Sequence, residues 1–79
     1  MNDLENIVEF IARNLVDKPD EVKVSIVSAE KTTIIELSVS KDDLGKIIGK
    51  EGRTAKAVRT ILNAASAKIN KRVILEIVE

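Results

Sequence analysis

Three glycines, the only ones in the chain, fall within eight residues and constrain the fold more than any other feature. They occupy positions 45, 49 and 52, and the residue patterns on both sides of them are helical. Because glycine lacks a Cβ atom and readily adopts positive φ, Gly49 and Gly52 favour a sharp turn between two helices that another molecule can approach closely. Segment 41–60 holds six basic and three acidic residues, so a phosphate is the expected group at this turn.

Two patterns of apolar residues precede the glycines. Residues 4–15 carry apolar side chains at helical spacing, and Asn2 and Glu5 are placed as an N-cap and its partner, so we predict an amphipathic helix that ends before Pro19. Alternation over residues 22–26 and 33–39 predicts two strands joined by a turn near 28–31, hence an antiparallel hairpin. The helix residues expected in the core are Leu4, Ile7, Val8, Ile11, Ala12 and Leu15.

Two helices and a strand surround and follow the glycines. Ser40 and Asp43 resemble a capping box that starts a short helix over 41–48. A long helix over 52–70 follows the turn, and residues 72–78 alternate as a last strand. Gly45 is expected to let a neighbouring backbone pass closely. The long helix should carry an apolar stripe of Ala55, Val58, Leu62, Ala65 and Ile69, with Arg53, Lys56 and Thr60 on the opposite side and Arg59 on the flank.

The order of elements, α-β-β-α-α-β, predicts the fold class. It contains no repeat and no linker, so we expect one α+β domain spanning residues 1–79. Helices should cover one face of a three-stranded mixed sheet. The crossover through the two later helices allows the strands before and after them to lie parallel.

Composition excludes several classes of protein. The sequence contains no cysteine, no histidine, no cluster of metal-ligating residues and no P-loop motif, so we predict no metal, no cofactor, no small-molecule substrate and no enzymatic activity. No apolar run reaches the roughly 18 residues of a membrane span. Asp3, Glu5 and Glu9 do not suit a secretory signal, and we therefore expect a cytoplasmic protein.

Charge is distributed unevenly, although its sum is zero. Residues 1–40 hold eight acidic and four basic side chains, a balance of −4, whereas residues 41–79 hold five acidic and nine basic ones, a balance of +4. The excess positive charge is therefore centred on the glycine turn, where an anion site needs it.

A resemblance to KH domains lies in the segment Ile47-Ile48-Gly49-Lys50-Glu51-Gly52-Arg53-Thr54-Ala55-Lys56-Ala57-Val58, which is similar to their I-G-x-x-G core. The order α-β-β-α-α-β matches the type II KH arrangement. Segments 15–22 and 43–50 are similar to those of the small bacterial single-KH proteins of the KhpA type, and the resemblance runs from about residue 4 to 78. It implies binding of about four nucleotides of single-stranded RNA, and a role as an RNA chaperone or post-transcriptional regulator in cell shape and cell wall biogenesis.

Within this resemblance, each residue of the turn has an expected role. Gly49 and Gly52 let phosphates reach backbone amides at the start of the long helix. Lys50 and Arg53 add mobile cations. Glu51 stands where family members commonly carry a neutral or basic residue, and it should weaken binding. The bases are expected over an apolar groove bounded by an edge of the sheet. Its floor is expected from Leu44, Ile48, Ala55 and Val58, with Lys46 and Lys56 as further RNA-binding candidates, and Ala55 is smaller than the aliphatic residue of many KH domains.

Simpler interpretations of the same residues stay open. On spacing alone, a G-x-x-G turn is more often a helix C-cap followed by a tight connector. Individually, Lys46, Lys56 and Arg59 are more often parts of a solvated helix face. The alternative function is a protein–protein interaction module with incidental RNA or single-stranded DNA binding. Neutral net charge and Glu51 favour this alternative, and the intact glycine pair argues against it.

A single site of this kind should bind weakly. Phe10, in the first helix, is the only aromatic residue, so the site offers bases no stacking platform. A homodimer, or a heterodimer with the larger Jag-type KH protein that the resemblance implies, would supply a second site and raise the effective concentration. Candidate pairing surfaces are the open sheet face with Ile34, Ile74 and Val78 and the outer face of the long helix with Ala57 and Ala64. Scattered apolar surface residues are an equally good interpretation.

Overall fold

The protein's architecture was obtained as a computed structural model, which describes residues 3–78. The elements follow the predicted order: α1 (Asp3–Leu15), β1 (Lys23–Ser28), β2 (Thr32–Ser38), α2 (Leu44–Ile48), α3 (Arg53–Ile69) and β3 (Arg72–Val78). Single turns of 3-10 helix precede β1, α2 and α3, at Pro19–Glu21, Lys41–Asp43 and Lys50–Gly52. The predicted N-cap, Asn2, lies outside the described residues.

The three strands form one mixed sheet in the order β1-β2-β3. β1 and β2 pair antiparallel as the predicted hairpin, and the amide of Ala29 donates to the carbonyl of Thr32 at 2.7 Å across its turn. β3 pairs parallel with β2, which confirms the expected crossover, and its first amide, that of Arg72, donates to the carbonyl of Lys31 at 2.9 Å. The strand order makes β1 and β3 the two edges of the sheet, and β3 packs against α3.

The core lies between the sheet and the helices that cover one of its faces. Every second residue of β2 is buried, as alternation predicted, and in β3 Val73 and Leu75 are buried while Ile77 is partly buried. Ile35 and Leu62 are at most 1% exposed. The buried cluster consists of Leu4, Val8, Ala12, Val22, Ile35, Leu37, Ile47, Leu62, Val73 and Leu75.

Two predicted helix stripes are wider than the buried surface. In α1 only the line Leu4, Val8 and Ala12 is buried, whereas Ile7 and Leu15 are each 40% exposed. Ile69, at the end of α3, is 46% exposed. The prediction that Ile7 and Leu15 belong to the core is wrong, because α1 rests on the sheet along a narrow line of i, i+4 positions. The apolar stripe of α3 extends beyond the core at Ile69.

Asp43 joins distant parts of the chain and does not close a capping box. Ser40 accepts a hydrogen bond from the amide of Asp42 at 3.4 Å, so Ser40 acts as an N-cap for the 3-10 turn. The Asp43 carboxylate is 1% exposed and accepts the amides of Asp17 at 3.1 Å and Lys18 at 3.0 Å. The predicted reciprocal cap is therefore wrong, since the carboxylate ties the segment after α1 to the start of α2.

Candidate nucleic-acid interface

A compact left-handed turn connects α2 to α3. Gly49 ends α2 at φ 80°, and its amide donates to the carbonyl of Gly45 at 2.9 Å. Glu51 and Gly52 also have positive φ, 57° and 74°, so three of four consecutive residues lie in the left-handed half of backbone space. The amide of Gly52 donates to the carbonyl of Gly49 at 3.1 Å, which holds the turn closed.

The three glycines differ in why they are needed. A Cβ atom on Gly49 would overlap the Thr54 hydroxyl and lie 2.8 Å from the Thr54 amide nitrogen, so packing and φ both require glycine there. Gly52 has open space around it, and only its φ of 74° favours glycine. At Gly45 a Cβ atom would meet no heavy atom within 4 Å, so the expected close approach of a backbone at this position is wrong.

The first turn of α3 is open to an anion. Gly52 is its N-cap, and as a glycine it places no side chain over the first amides of the helix. The amide of Arg53 donates to the carbonyl of Lys50 in the preceding 3-10 turn. The amides that follow it have no acceptor within their own helix, and they carry the positive end of the helix dipole. The 17 residues of α3 make this the longest helix among residues 3–78.

The basic side chains predicted to bind RNA differ in whether a carboxylate pairs with them. Lys50 and Lys56 are exposed, and neither is in an ion pair with any residue of the segment 3–78. Arg53 is 79% exposed at its side chain, and its Nη2 lies 3.4 Å from Oε2 of Glu51. The loop therefore presents one free cation and one that a neighbouring carboxylate partly neutralises.

Lys46 is held away from the loop. Its Nζ lies 3.0 Å from Oδ2 of Asp17 and 3.5 Å from Oδ1 of Asp43. The hydrogen bond and the charge of Asp17, with a smaller contribution from Asp43, raise the pKa of Lys46 above its ordinary value. The geometry therefore assigns Lys46 to the contact between α2 and the segment after α1.

An open groove of about 410 Å³ runs beside the turn, between the helix pair and the free edge of β3. Arg59 crosses it, since its Nη2 donates to the carbonyl of Leu75 at 3.4 Å. Ile48, 38% exposed, supplies an accessible apolar surface. The lining residues are Ile48, Gly52, Ala55, Arg59, Leu75, Glu76 and Ile77.

Two residues of the expected groove floor lie elsewhere. Val58 faces inward, among α1 residues such as Val8 and Ile11, and Leu44 lines a separate recess with Val39 and Val78. Helical spacing placed Val58 correctly on the apolar side of α3, but that side faces α1 as well as the groove. An edge of the sheet was expected beside the groove, but the residue patterns do not identify which one. Of the two edge strands, β3 lines the groove and adds Leu75, Glu76 and Ile77.

Residues 5–77, which include the turn and the groove, match the family model of the KhpA/KhpB KH domain. The chain belongs to the KhpA/KhpB KH-domain family. Curated relatives named RNA-binding protein KhpA include one from Borreliella burgdorferi, 55% identical over 99% of this chain and 94% of its own length. Another, from Aquifex aeolicus, is 54% identical over the whole of both chains.

A solved structure of Era in complex with MgGDPNP and nucleotides 1506–1542 of 16S ribosomal RNA shares the KH fold of this family member. The TM-score is 0.61 at 23% identity, and the match covers 94% of this chain but only 28% of the Era chain. Within residues 3–78, no helix has the length and apolar character needed to cross a membrane. The same residues contain no group of three or more side chains suited to hold a metal ion.

Proposed function

We propose that this protein binds single-stranded RNA, with the turn 49–52 holding the phosphate backbone and the adjacent groove receiving the bases. One observation carries the proposal: the glycine turn, with its three positive-φ residues, opens α3 next to an apolar groove in a KhpA/KhpB KH domain. The relatives' name, RNA-binding protein KhpA, supports the same function. Single-stranded RNA suits the site because unpaired bases can leave the stack and enter a groove.

Backbone contacts hold the strand in this proposal. Phosphates approach the first amides of α3 across Gly52, where no side chain intervenes. Lys50 adds a free cation, and Arg53 exchanges Glu51 for a phosphate oxygen when RNA arrives. The bases then lie against Ile48 and reach the free edge of β3, whereas Ala55, at 4% exposed, offers them little surface. These contacts to phosphate and apolar surface carry little sequence information, so we expect weak sequence preference.

The proposal is tested by placing two carboxylates at the tip of the turn. In the double variant Lys50→Asp with Glu51→Asp, the fold should persist, because Asp tolerates the left-handed conformation that Glu51 adopts. Two carboxylates in the phosphate path should abolish binding of a fluorescent U8 oligonucleotide. Lys23→Asp, on the outer edge strand β1, makes the same change in net charge and is the matched control.

The outcomes separate the candidate functions. Loss of U8 binding in the double variant, with Lys23→Asp unaffected, supports the clamp. A folded double variant that binds U8 as the wild type does contradicts it and favours the protein-interaction module. A dT8 oligonucleotide measured in parallel distinguishes RNA from single-stranded DNA.

We further propose that the chain works in pairs in the bacterial cytoplasm, as an RNA chaperone or post-transcriptional regulator in the control of cell shape and cell wall biogenesis. The partner is a second copy or a larger KH protein of the Jag type. Val27, Ile34 and Ile74 support pairing through the open sheet face, since they align as a row across the three strands. The outer side of α3 offers Ala57, Ala64 and Ile61, which is 49% exposed.

A further inference from the structure

The groove beside β3 continues beyond the surface that faces the glycine turn. A second recess of about 200 Å³ adjoins the first along α3 and β3, and the two share Arg59 and Leu75. β3 covers about 17 Å from Arg72 to Ile77 at roughly 3.3 Å per residue. The far recess is lined by Arg59, Leu62, Asn63, Arg72, Val73, Ile74 and Leu75.

Charge at the far recess differs from charge at the turn. Near the turn, Glu51 pairs with Arg53, and Glu76 lines the first groove. The far recess has no carboxylate in its lining. Arg59 and Arg72 are both exposed, and no carboxylate in the described part of the chain is within 4.0 Å of either guanidinium. Arg72 alternates with the buried Val73, so it lines the recess from the exposed side of the edge strand, whereas Arg59 lines it from α3.

Further basic residues surround Arg72. Its amide donates to the carbonyl of Lys31 at 2.9 Å, which brings the hairpin turn beside the start of β3, and Lys71 precedes it in the chain. Lys31 and Lys71 likewise pair with no carboxylate within residues 3–78. Basic side chains therefore outnumber acidic ones at this end of the groove, where Glu30 in the hairpin turn is the neighbouring carboxylate and forms no ion pair with them.

Arg59 has a fixed position as well as a charge. One of its nitrogen atoms donates to the carbonyl of Leu75, which anchors the guanidinium between α3 and β3. The guanidinium has five N–H donors, so several stay available to an oxyanion after this contact. Asn63 lies one helical turn further along the same side of α3 and adds an amide donor.

We propose that Arg59, Asn63 and Arg72 form a second phosphate-binding subsite, which takes the backbone of the RNA strand where it leaves the groove at the end remote from the glycine turn. This subsite rests on the proposed function. A strand that reaches both ends of the groove gains contacts that a shorter strand held at the turn does not make. Affinity should therefore rise with strand length until the strand reaches Arg72.

The test compares oligouridylates of four and eight nucleotides on the full chain. Arg72→Gln should bind U8 about three- to ten-fold more weakly than the wild type, the loss expected for one or two hydrogen bonds, and should bind U4 equally well. On U8 the dependence of log affinity on log salt should become shallower by about 0.7 per lost phosphate contact. Lys23→Gln, at the opposite edge of the sheet, removes the same charge and should change neither affinity.

The outcomes for the subsite and for the turn are distinct. If Arg72→Gln binds U8 as the wild type does, the proposed subsite is wrong. It is also wrong if Lys23→Gln weakens U8 binding as much as Arg72→Gln does. The turn is judged by the Lys50→Asp with Glu51→Asp double variant, which should lose U4 and U8 alike. A wild-type chain that binds neither oligonucleotide overturns both proposals. Thermal unfolding of each variant verifies that it is folded.

Discussion

At the scale of single residues, alanine should destabilise the fold more at Gly49 than at Gly52. Placing any L-residue in the left-handed region costs about 1–2 kcal/mol, so Gly52→Ala should lower the free energy of unfolding by that amount. Gly49→Ala adds a clash with the side chain and backbone of Thr54 and should cost about 1–3 kcal/mol more. Urea denaturation measures both values. Equal losses in the two variants would show that Thr54 moves aside freely and would contradict this account.

Glu51 competes with RNA for Arg53 in the proposed mechanism. Glu51→Gln removes the carboxylate 3.4 Å from the guanidinium, so we expect tighter binding of U8, by up to about five-fold at low salt. The gain should shrink as salt screens the loop. Glu9→Gln is the matched control, because Glu9 forms a similar exposed pair with Arg13 at 3.5 Å in α1. Unchanged affinity for Glu51→Gln at low salt would contradict the competition.

At the scale of elements, α2 is a helix of five residues, and Asp43 holds its start. Burial raises the pKa of the Asp43 carboxyl, but the amides of Asp17 and Lys18 and the Lys46 ammonium outweigh burial and hold the pKa below its ordinary value. A carboxyl whose pKa is lower in the folded state than in the unfolded state stabilises the fold above the unfolded pKa, about 3.9. That stabilisation is lost as pH falls through the folded pKa.

Asp43→Asn should therefore lower the melting temperature at pH 7, and the difference from the wild type should narrow as pH falls below about 4. Thermal unfolding followed by circular dichroism across pH 3 to 7 measures this difference. Asp42→Asn is the control, because the Asp42 side chain is 76% exposed and, among residues 3–78, forms an ion pair only with Lys18. A difference that stays constant with pH would show that the charge of Asp43 does not contribute.

Elements were predictable from sequence where one local cause determines them. Alternation fixed β2 and β3, and the glycine pair fixed the turn between α2 and α3 to within a residue. Contacts between remote segments were not predictable. The Asp43 bonds span 25 and 26 residues, so spacing suggested a local cap. The groove wall likewise depends on β3 being the edge strand, and single-strand periodicity does not reveal strand order.

At the scale of the whole molecule, the proposed pairing offers a way to offset weak binding at one site. We expect sedimentation to show an apparent mass that rises with concentration in the micromolar range. Ile74→Glu should abolish the rise if the sheet face pairs, and Ile61→Glu should abolish it if α3 pairs. A chain that stays monomeric into the high micromolar range would contradict self-association and leave the larger KH protein as the proposed partner.

The central claim is that RNA meets this molecule at the glycine turn and along the free edge of β3. Titration of the ¹⁵N-labelled chain with U8, followed by two-dimensional NMR, tests it residue by residue. We expect the largest amide shifts at Gly49, Lys50, Gly52 and Arg53, with further shifts at Leu75 and Ile77. Shifts confined to the open sheet face around Val27 and Ile34, or no shifts at saturating RNA, would contradict the claim.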